Sequence, residues 1–463
     1  MDKYKRLASN TVIFAIGTFS SKFLVFLLMP LYTWALSPAE YSVTDLIVQC
    51  GNLLLPLVTL GIVNAIIRFG LDKSVRKSEV LTNGFLTLFI GFILLLCFAP
   101  LISMVKTIAG HTLLVYIFIL TSSLRSICSQ FVRARGLVKL FAFDGILSTI
   151  TTILFNILFL VVFKFGVIGY IMAIVCSDLL SSVFLFFIAS LWRYVNFKHI
   201  NLPLWKEMIL YSLPLIPNML CWWITNVSDR FIVSYMLGNE ANGLYAVSYK
   251  LPTIISVCSS IFISAWQISA ITEEKGRNRF FSKIFKSYSA LIFMAGAALI
   301  PFSKLAVILL AQDSYYGAWA YIPFLVLATV FNCFGAFAGS VYTVEKKSIF
   351  SFLTISVGAV INVVLNLILI PVWGVNGAAF ATFFCYFVVF ILRVITARKF
   401  IKMRVYPMRT TINTVILLIQ SLVMIFEVPG WMFIEAVLVI GLLIFNLKPI
   451  IQILLTILKR KKR

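Results

Sequence analysis

The 463-residue sequence predicts an all-α protein that crosses a membrane about 14 times. Hydrophobic residues make up 61% of the chain and charged residues 12%, which is more apolar surface than a soluble domain hides. Apolar runs long enough to cross about 30 Å of hydrocarbon recur from end to end, separated by short polar joints. These runs are continuously apolar and do not alternate with period two, so helices satisfy the backbone inside lipid and a barrel does not arise.

The expected spans are 9 to 35, 44 to 68, 80 to 104, 112 to 132, 141 to 163, 167 to 191, 208 to 236, 243 to 271, 284 to 311, 317 to 343, 348 to 371, 375 to 397, 410 to 427 and 430 to 447. The first follows Lys3, Lys5 and Arg6. It is too long for a secretory signal and lacks a small-residue cleavage site, which predicts a retained span. Of the 39 basic residues, 31 fall in segments that are cytoplasmic if the N-terminus is inside, and three (Lys106, Lys164, Lys304) fall outside. That asymmetry predicts both termini in the cytoplasm and an even number of spans.

A net charge of +23 invites a nucleic-acid reading. The cations are nevertheless spread over eight cytoplasmic segments, so topology accounts for them and no nucleic-acid partner is expected. The tail Lys459 to Arg463 forms a polybasic patch expected to attract anionic membrane lipid, at about 1 kcal/mol per residue. The eight cysteines all lie in expected spans without a CxxC pair, and His111 and His199 fall on opposite sides. Neither a metal nor a cofactor is expected. The outer loops are short and carry only isolated acids such as Glu40, Glu240 and Asp313. Without paired carboxylates on a sizeable outer loop, an enzyme such as a membrane polymerase is disfavoured.

Internal repetition supplies the domain plan. LSPAEYSVTDL (Leu36 to Leu46) has a counterpart in LGNEANGLYAV (Leu237 to Val247), and FKFGVIGYIMA (Phe163 to Ala173) has one in IPVWGVNGAAFA (Ile370 to Ala381). The second pair follows apolar helices carrying Asn156 in one case and Asn362 and Asn366 in the other. These offsets predict two six-helix lobes, 1 to 206 and 207 to 405, followed by an extra helix pair and basic tail in 406 to 463. Six is even, so the lobes are related by an axis along the membrane normal, with a central cavity expected between them, which is a transporter plan. The glycine pairs 166/169 and 374/377 are expected to serve close helix packing, and Pro214 and Pro217 a kink.

Charges inside spans cost at least about 2.5–3.5 kcal/mol each, so they mark function by default. Five cations lie at depth: Lys22, Arg68, Arg125, Arg230 and Lys250. Three acids accompany them: Asp45, Asp178 and Asp229. The surplus is positive and favours an anion, with arginine offering a planar fork for phosphate oxygens. Arg68 can instead snorkel to the interface, Asp229 can neutralise Arg230 or Lys250, and Asp178 can bond a neighbouring helix.

LMPLYTWALSPAEYSVTDL, LGIVNAIIRFG, YSLPLIPN, SDRFIV, LGNEANGLYAVSYKLP, ISAW and WGVNGAA, in that order, resemble the polysaccharide transporter branch of the multidrug/oligosaccharidyl-lipid/polysaccharide flippase superfamily. The resemblance runs over the first 400 residues. It implies two six-helix bundles around a cationic cavity and an undecaprenyl-pyrophosphate-linked oligosaccharide as substrate, such as O-antigen or capsule units. It also implies partnership with the polymerase and glycosyltransferases of the same pathway, in a bacterial inner membrane. Ser42 stands where the family usually has Gly, which leaves the geometry of the first outer turn open. Fourteen spans also resemble the lipid II flippase branch. A drug or cation antiporter of the superfamily remains a further alternative, although it would prefer acids over bases in its cavity.

Overall fold

The computed structural model describes residues 28–97, 107–197, 200–272 and 276–461. Among them every regular element is helical, as the continuous apolar runs require. Eleven of these helices are long and apolar enough to cross a membrane, or twelve if Arg277–Leu299 and Ser303–Leu310, bent by 65°, form one span. The chain is therefore an all-α, multi-pass membrane protein. Most of the expected first span lies outside the described residues.

The helices fall into two compact units, one up to Trp223 and one from Ile224. The first unit contains α1 (Met29–Ala35), α2 (Pro38–Val58), α3 (Ile62–Gly70), α4 (Lys77–Cys97), α5 (Thr112–Ala134), α6 (Val138–Asn156), α7 (Gly166–Ile188) and α8 (Leu202–Ser212). Ser37 caps α2 in a reciprocal box with Glu40, so two orphan helix N–H groups are satisfied. Ser42 is consequently buried inside a helix and not in a turn. The span expected over 44 to 68 is broken at Leu60 and Gly61, both with positive φ (47° and 65°). The rings of Tyr32, Tyr41 and Tyr170 tie α1 to α2 and α7, with Tyr32 and Tyr170 centroids 4.7 Å apart.

The division between units falls inside α9 (Ile216–Leu237). A 3-10 turn at Leu213–Leu215 separates α9 from α8, because Pro214 withholds the N–H that a continuous helix needs. The second unit continues with α10 (Asn239–Ser248), α11 (Lys250–Thr272), α12 (Arg277–Leu299), α13 (Ser303–Leu310), α14 (Ile322–Val344), α15 (Ser348–Trp373) and α16 (Val375–Ala397). The last pair, α17 (Pro407–Ile425) and α18 (Trp431–Lys461), packs on α12, with α17 also against α14. An aromatic core of Trp266, Phe281, Phe285, Phe334 and Phe337 joins α11, α12 and α14.

The sequence repeat has a structural meaning. Gly166 and Gly374 both take positive φ (54° and 60°), a conformation that disfavours a Cβ. Three residues on, a Cβ at Gly169 would lie 3.0 Å from the Phe159 carbonyl oxygen, and one at Gly377 would overlap that of Leu369. Each repeat thus turns sharply and presses the new helix against the backbone of the helix it has just left.

Candidate functional site: an intramembrane polar cluster in each unit

In the first unit, Arg125 on α5 lies among polar groups of α6 and α7. Its Nη1 donates to Asp178 Oδ1 at 2.9 Å, its Nε donates to Ser181 Oγ at 3.1 Å, and its Nη2 lies 3.8 Å from Asp144 Oδ2. Ser122 donates to Asp178 and Ser181 to Asp144. The spacing explains the convergence: Ser122 with Arg125, and Asp178 with Ser181, are each three apart and so share one helix face. The side chains of Asp144 and Asp178 are only 2% and 7% exposed, and that of Arg125 is 29% exposed. Below this cluster, Ser148, Thr151 and Thr152 of α6 meet Ser177 of α7 in a second polar seam.

Two of the eight candidates, Arg125 and Asp178, are thus brought together. Asp144 is a partner outside the sequence-derived set, although FAFDGIL carries the same signal of a charge within an apolar run. Asp45 is buried on α2. Arg68 stands exposed in the last turn of α3, and Lys22 lies outside the described residues.

In the second unit, Asp229 on α9 is fully buried. Its Oδ2 accepts from Tyr245 Oη at 2.7 Å, from the Tyr249 hydroxyl and from Thr382 Oγ1 at 3.1 Å, while its Oδ1 accepts the Arg230 backbone N–H at 2.9 Å. The Arg230 guanidinium lies 4.5 Å from the Tyr249 ring centroid, a cation–π contact. Lys250 opens α11, one residue after Tyr249. Around the carboxylate, Ser228 donates to Asn362 at 3.0 Å, Asn362 to Thr382 at 3.3 Å, Asn366 to Asn362 at 3.0 Å, and Tyr386 to Asn226. Three hydroxyl groups and one backbone N–H therefore satisfy the Asp229 carboxylate, and the asparagines of α15 extend the network through Ser228 and Thr382. Among the described residues no three His, Cys, Asp or Glu side chains group as metal ligands.

A further intramembrane charge, Arg393 on α16, donates from Nη1 to the Gly335 carbonyl at 2.9 Å and from Nε to Thr354 Oγ1 at 3.2 Å. A Cβ at Gly339 would sit 3.0 Å from that Nη1, so the small residues of α14 provide room for the guanidinium. In the sequence this arginine reads as the start of a basic cytoplasmic segment.

Residues 7–267 match the model of the polysaccharide biosynthesis protein family, more than half of the chain. The chain belongs to that family. An uncharacterized membrane protein of Methanocaldococcus jannaschii is 26% identical over an aligned length of 231 residues that covers 46% of this chain. The alignment spans 45% of that relative's length. Among solved structures, the fold resembles the lipid II flippase MurJ in an inward closed conformation, with a TM-score of 0.70 and 16% identity over 94% of this chain and 98% of that one. It also resembles an inward-facing multidrug resistance MATE transporter, with a TM-score of 0.63 and 15% identity over 83% and 97%. At 15–16% identity these likenesses show a shared fold, the one that the resemblance of the sequence motifs implies.

Proposed function

We propose that this family member is a flippase that carries an undecaprenyl-pyrophosphate-linked oligosaccharide from the inner to the outer leaflet of a bacterial cell membrane, with both termini cytoplasmic. The observation that carries the proposal is the match to a polysaccharide biosynthesis family on a fold shared with a lipid II flippase. The short loops, which give an enzyme little room to hold a substrate outside the bilayer, support transport.

In this proposal Arg68 is the first contact of the pyrophosphate, and Lys22 and Arg125 neutralise it at depth. Asp144 and Asp178 aim the Arg125 fork. Arg230 and Lys250 take the headgroup toward the outer face. Neutralisation matters because an unpaired charge at depth meets a barrier of several kcal/mol. Moving about two negative charges outward is favoured by roughly 4.6 kcal/mol when the interior is 100 mV negative. Asp229, held by the hydroxyls of Tyr245, Tyr249 and Thr382, is the candidate coupling site for a proton or monovalent cation, with Asp45 and Asp178 as further charge partners. The basic tail rests on anionic lipid, and the polymerase and glycosyltransferases of the pathway act before and after.

A lipid II substrate is the second reading, favoured by the high coverage of MurJ and by the helix pair α17 and α18. Proteoliposomes loaded with fluorescent lipid-linked oligosaccharide or with lipid II separate the two. Flipping of the oligosaccharide alone, slowed when the potential is dissipated, supports the proposal. Flipping of lipid II alone moves the protein to the second reading, and flipping of neither overturns both.

A further inference from the structure

The first unit contains a cavity of about 620 Å³ walled by Phe85, Phe89 and Phe92 of α4, Leu120 and Leu124 of α5, and Phe186 of α7. That volume lies inside the roughly 300–1,000 Å³ range of ligand pockets. Phe89 is 66% exposed and belongs to an exposed apolar stripe of α4 with Ile93 and Leu96, so the cavity opens on a surface that faces lipid. From Phe85 to Phe92 it follows α4 for about 10 Å. Its lining offers water no hydrogen-bond partners, and an apolar space of this size in contact with hydrocarbon is filled by a chain from the bilayer.

The end of the cavity decides which lipid that chain belongs to. Val195 and Phe197 close it. Their segment is pinned across α4 at Thr82, whose Oγ1 accepts the Asn196 N–H at 3.0 Å and donates to the Tyr194 carbonyl at 3.3 Å. This pinning puts exposed Arg193 at the same end as exposed Lys77, the first residue of α4. Exposed Trp192, whose ring stands 6.3 Å from that of Phe186, marks headgroup depth. An apolar slot with a cationic rim at headgroup level fits an anionic lipid.

We propose that this cavity is a binding site for one anionic phospholipid, with an acyl chain between α4, α5 and α7 and a phosphate against Lys77 and Arg193. The lipid comes from the leaflet bordering the 193–197 segment, the inner one under the positive-inside orientation. The site is independent of the transported substrate.

The test is native mass spectrometry of the purified full-length protein titrated with phosphatidylglycerol, phosphatidylcholine and undecaprenyl phosphate. One phosphatidylglycerol should be retained in preference to phosphatidylcholine. Lys77→Gln and Arg193→Gln, both on the exposed surface, should each reduce that preference by about fivefold. Leu120→Trp, which fills the cavity, should abolish retention, whereas Phe186→Ala, which enlarges it, should keep the lipid. Equal binding of the two phospholipids, or charge variants with unaltered preference, overturns the proposal even if the tryptophan variant fails to fold. Displacement of phosphatidylglycerol by equimolar undecaprenyl phosphate also overturns it and gives the cavity to an isoprenoid tail.

Discussion

Arg125 Nη1 and Asp178 Oδ1 stand 2.9 Å apart across α5 and α7, with Asp144 on the far side of the same guanidinium. One cation is therefore shared between two carboxylates, so this cluster holds none of the positive surplus that the tally along the sequence gives. A lone buried carboxylate is expensive, so the three residues stand or fall together.

Arg125→Ala is accordingly expected to lower stability by about 1–3 kcal/mol, less than the roughly 3–5 of a fully buried pair because Arg125 is partly exposed. A double-mutant cycle with Asp178→Asn should give a coupling of about 0.5–3 kcal/mol, read from thermal unfolding in detergent. Strict additivity would remove the pair as a stabilising contact. Arg125→Lys keeps the charge but cannot reach Ser181 and both aspartates at once, so transport should be partly restored relative to alanine.

Asp229 yields a second prediction because its carboxylate is held by neutral donors. Tyr249→Phe and Thr382→Val each remove one hydrogen bond to a buried charge, at an expected cost of about 1.5–3 kcal/mol. Asp229→Asn keeps the shape and removes the charge. If Asp229 couples transport to a cation, this variant should fold to near wild-type levels and lose gradient-driven flipping, measured in proteoliposomes with and without an imposed gradient. Full gradient-driven activity would remove Asp229 from coupling.

Much of the fold was legible because apolar run length and short polar joints are local signals. The span expected over 375 to 397 coincides with α16, and the repeat at Gly166/Gly169 and Gly374/Gly377 announced its close backbone approach. The break at Leu60 was hidden because the residues on both sides remain apolar. Asp144 and Arg393 were hidden for a different reason. Arg393 lies near a span end at the head of a basic segment and reads as interfacial, Asp144 is a single acid in FAFDGIL whose partners no linear signal names, and the surroundings of both are set by distant helices: Arg125 and Ser181 for Asp144, Gly335 and Thr354 for Arg393. The opposed aspartates of Arg125 are likewise a tertiary fact that a linear tally of charge signs does not contain.

The glycine contacts predict a sharp contrast. Gly377→Ala must displace the Leu369 backbone and Gly91→Ala that of Val58, so each should cost about 1–3 kcal/mol or more by overpacking. Gly145 and Gly441 have open space around the Cβ position and lie within helices α6 and α18. There alanine should be neutral or stabilising by up to about 1 kcal/mol. Melting temperatures of the four variants check the order, and similar values for all four would contradict the packing described.

Lys304, in the first turn of α13 just after the bend from α12, sits 4.1 Å from the Trp319 ring centroid and 5.0 Å from that of Trp431, and pairs with Glu427. Glu427 and Trp431 belong to the turn joining α17 to α18, so this one ammonium clamps the extra helix pair to the rest of the second unit. Glu427 is 59% exposed, which limits the ion pair to less than about 1 kcal/mol. The two rings should contribute about 1–2 kcal/mol together. Lys304→Met is therefore expected to loosen the turn at residues 426–430 more than Glu427→Gln does, seen as faster amide hydrogen exchange there with little change at Asp229 or Arg125. Lys304→Arg should restore protection, because a guanidinium also stacks on indole. Exchange at 426–430 that is unaltered in the methionine variant would show that packing of α17 and α18 on α12 holds the pair without the clamp.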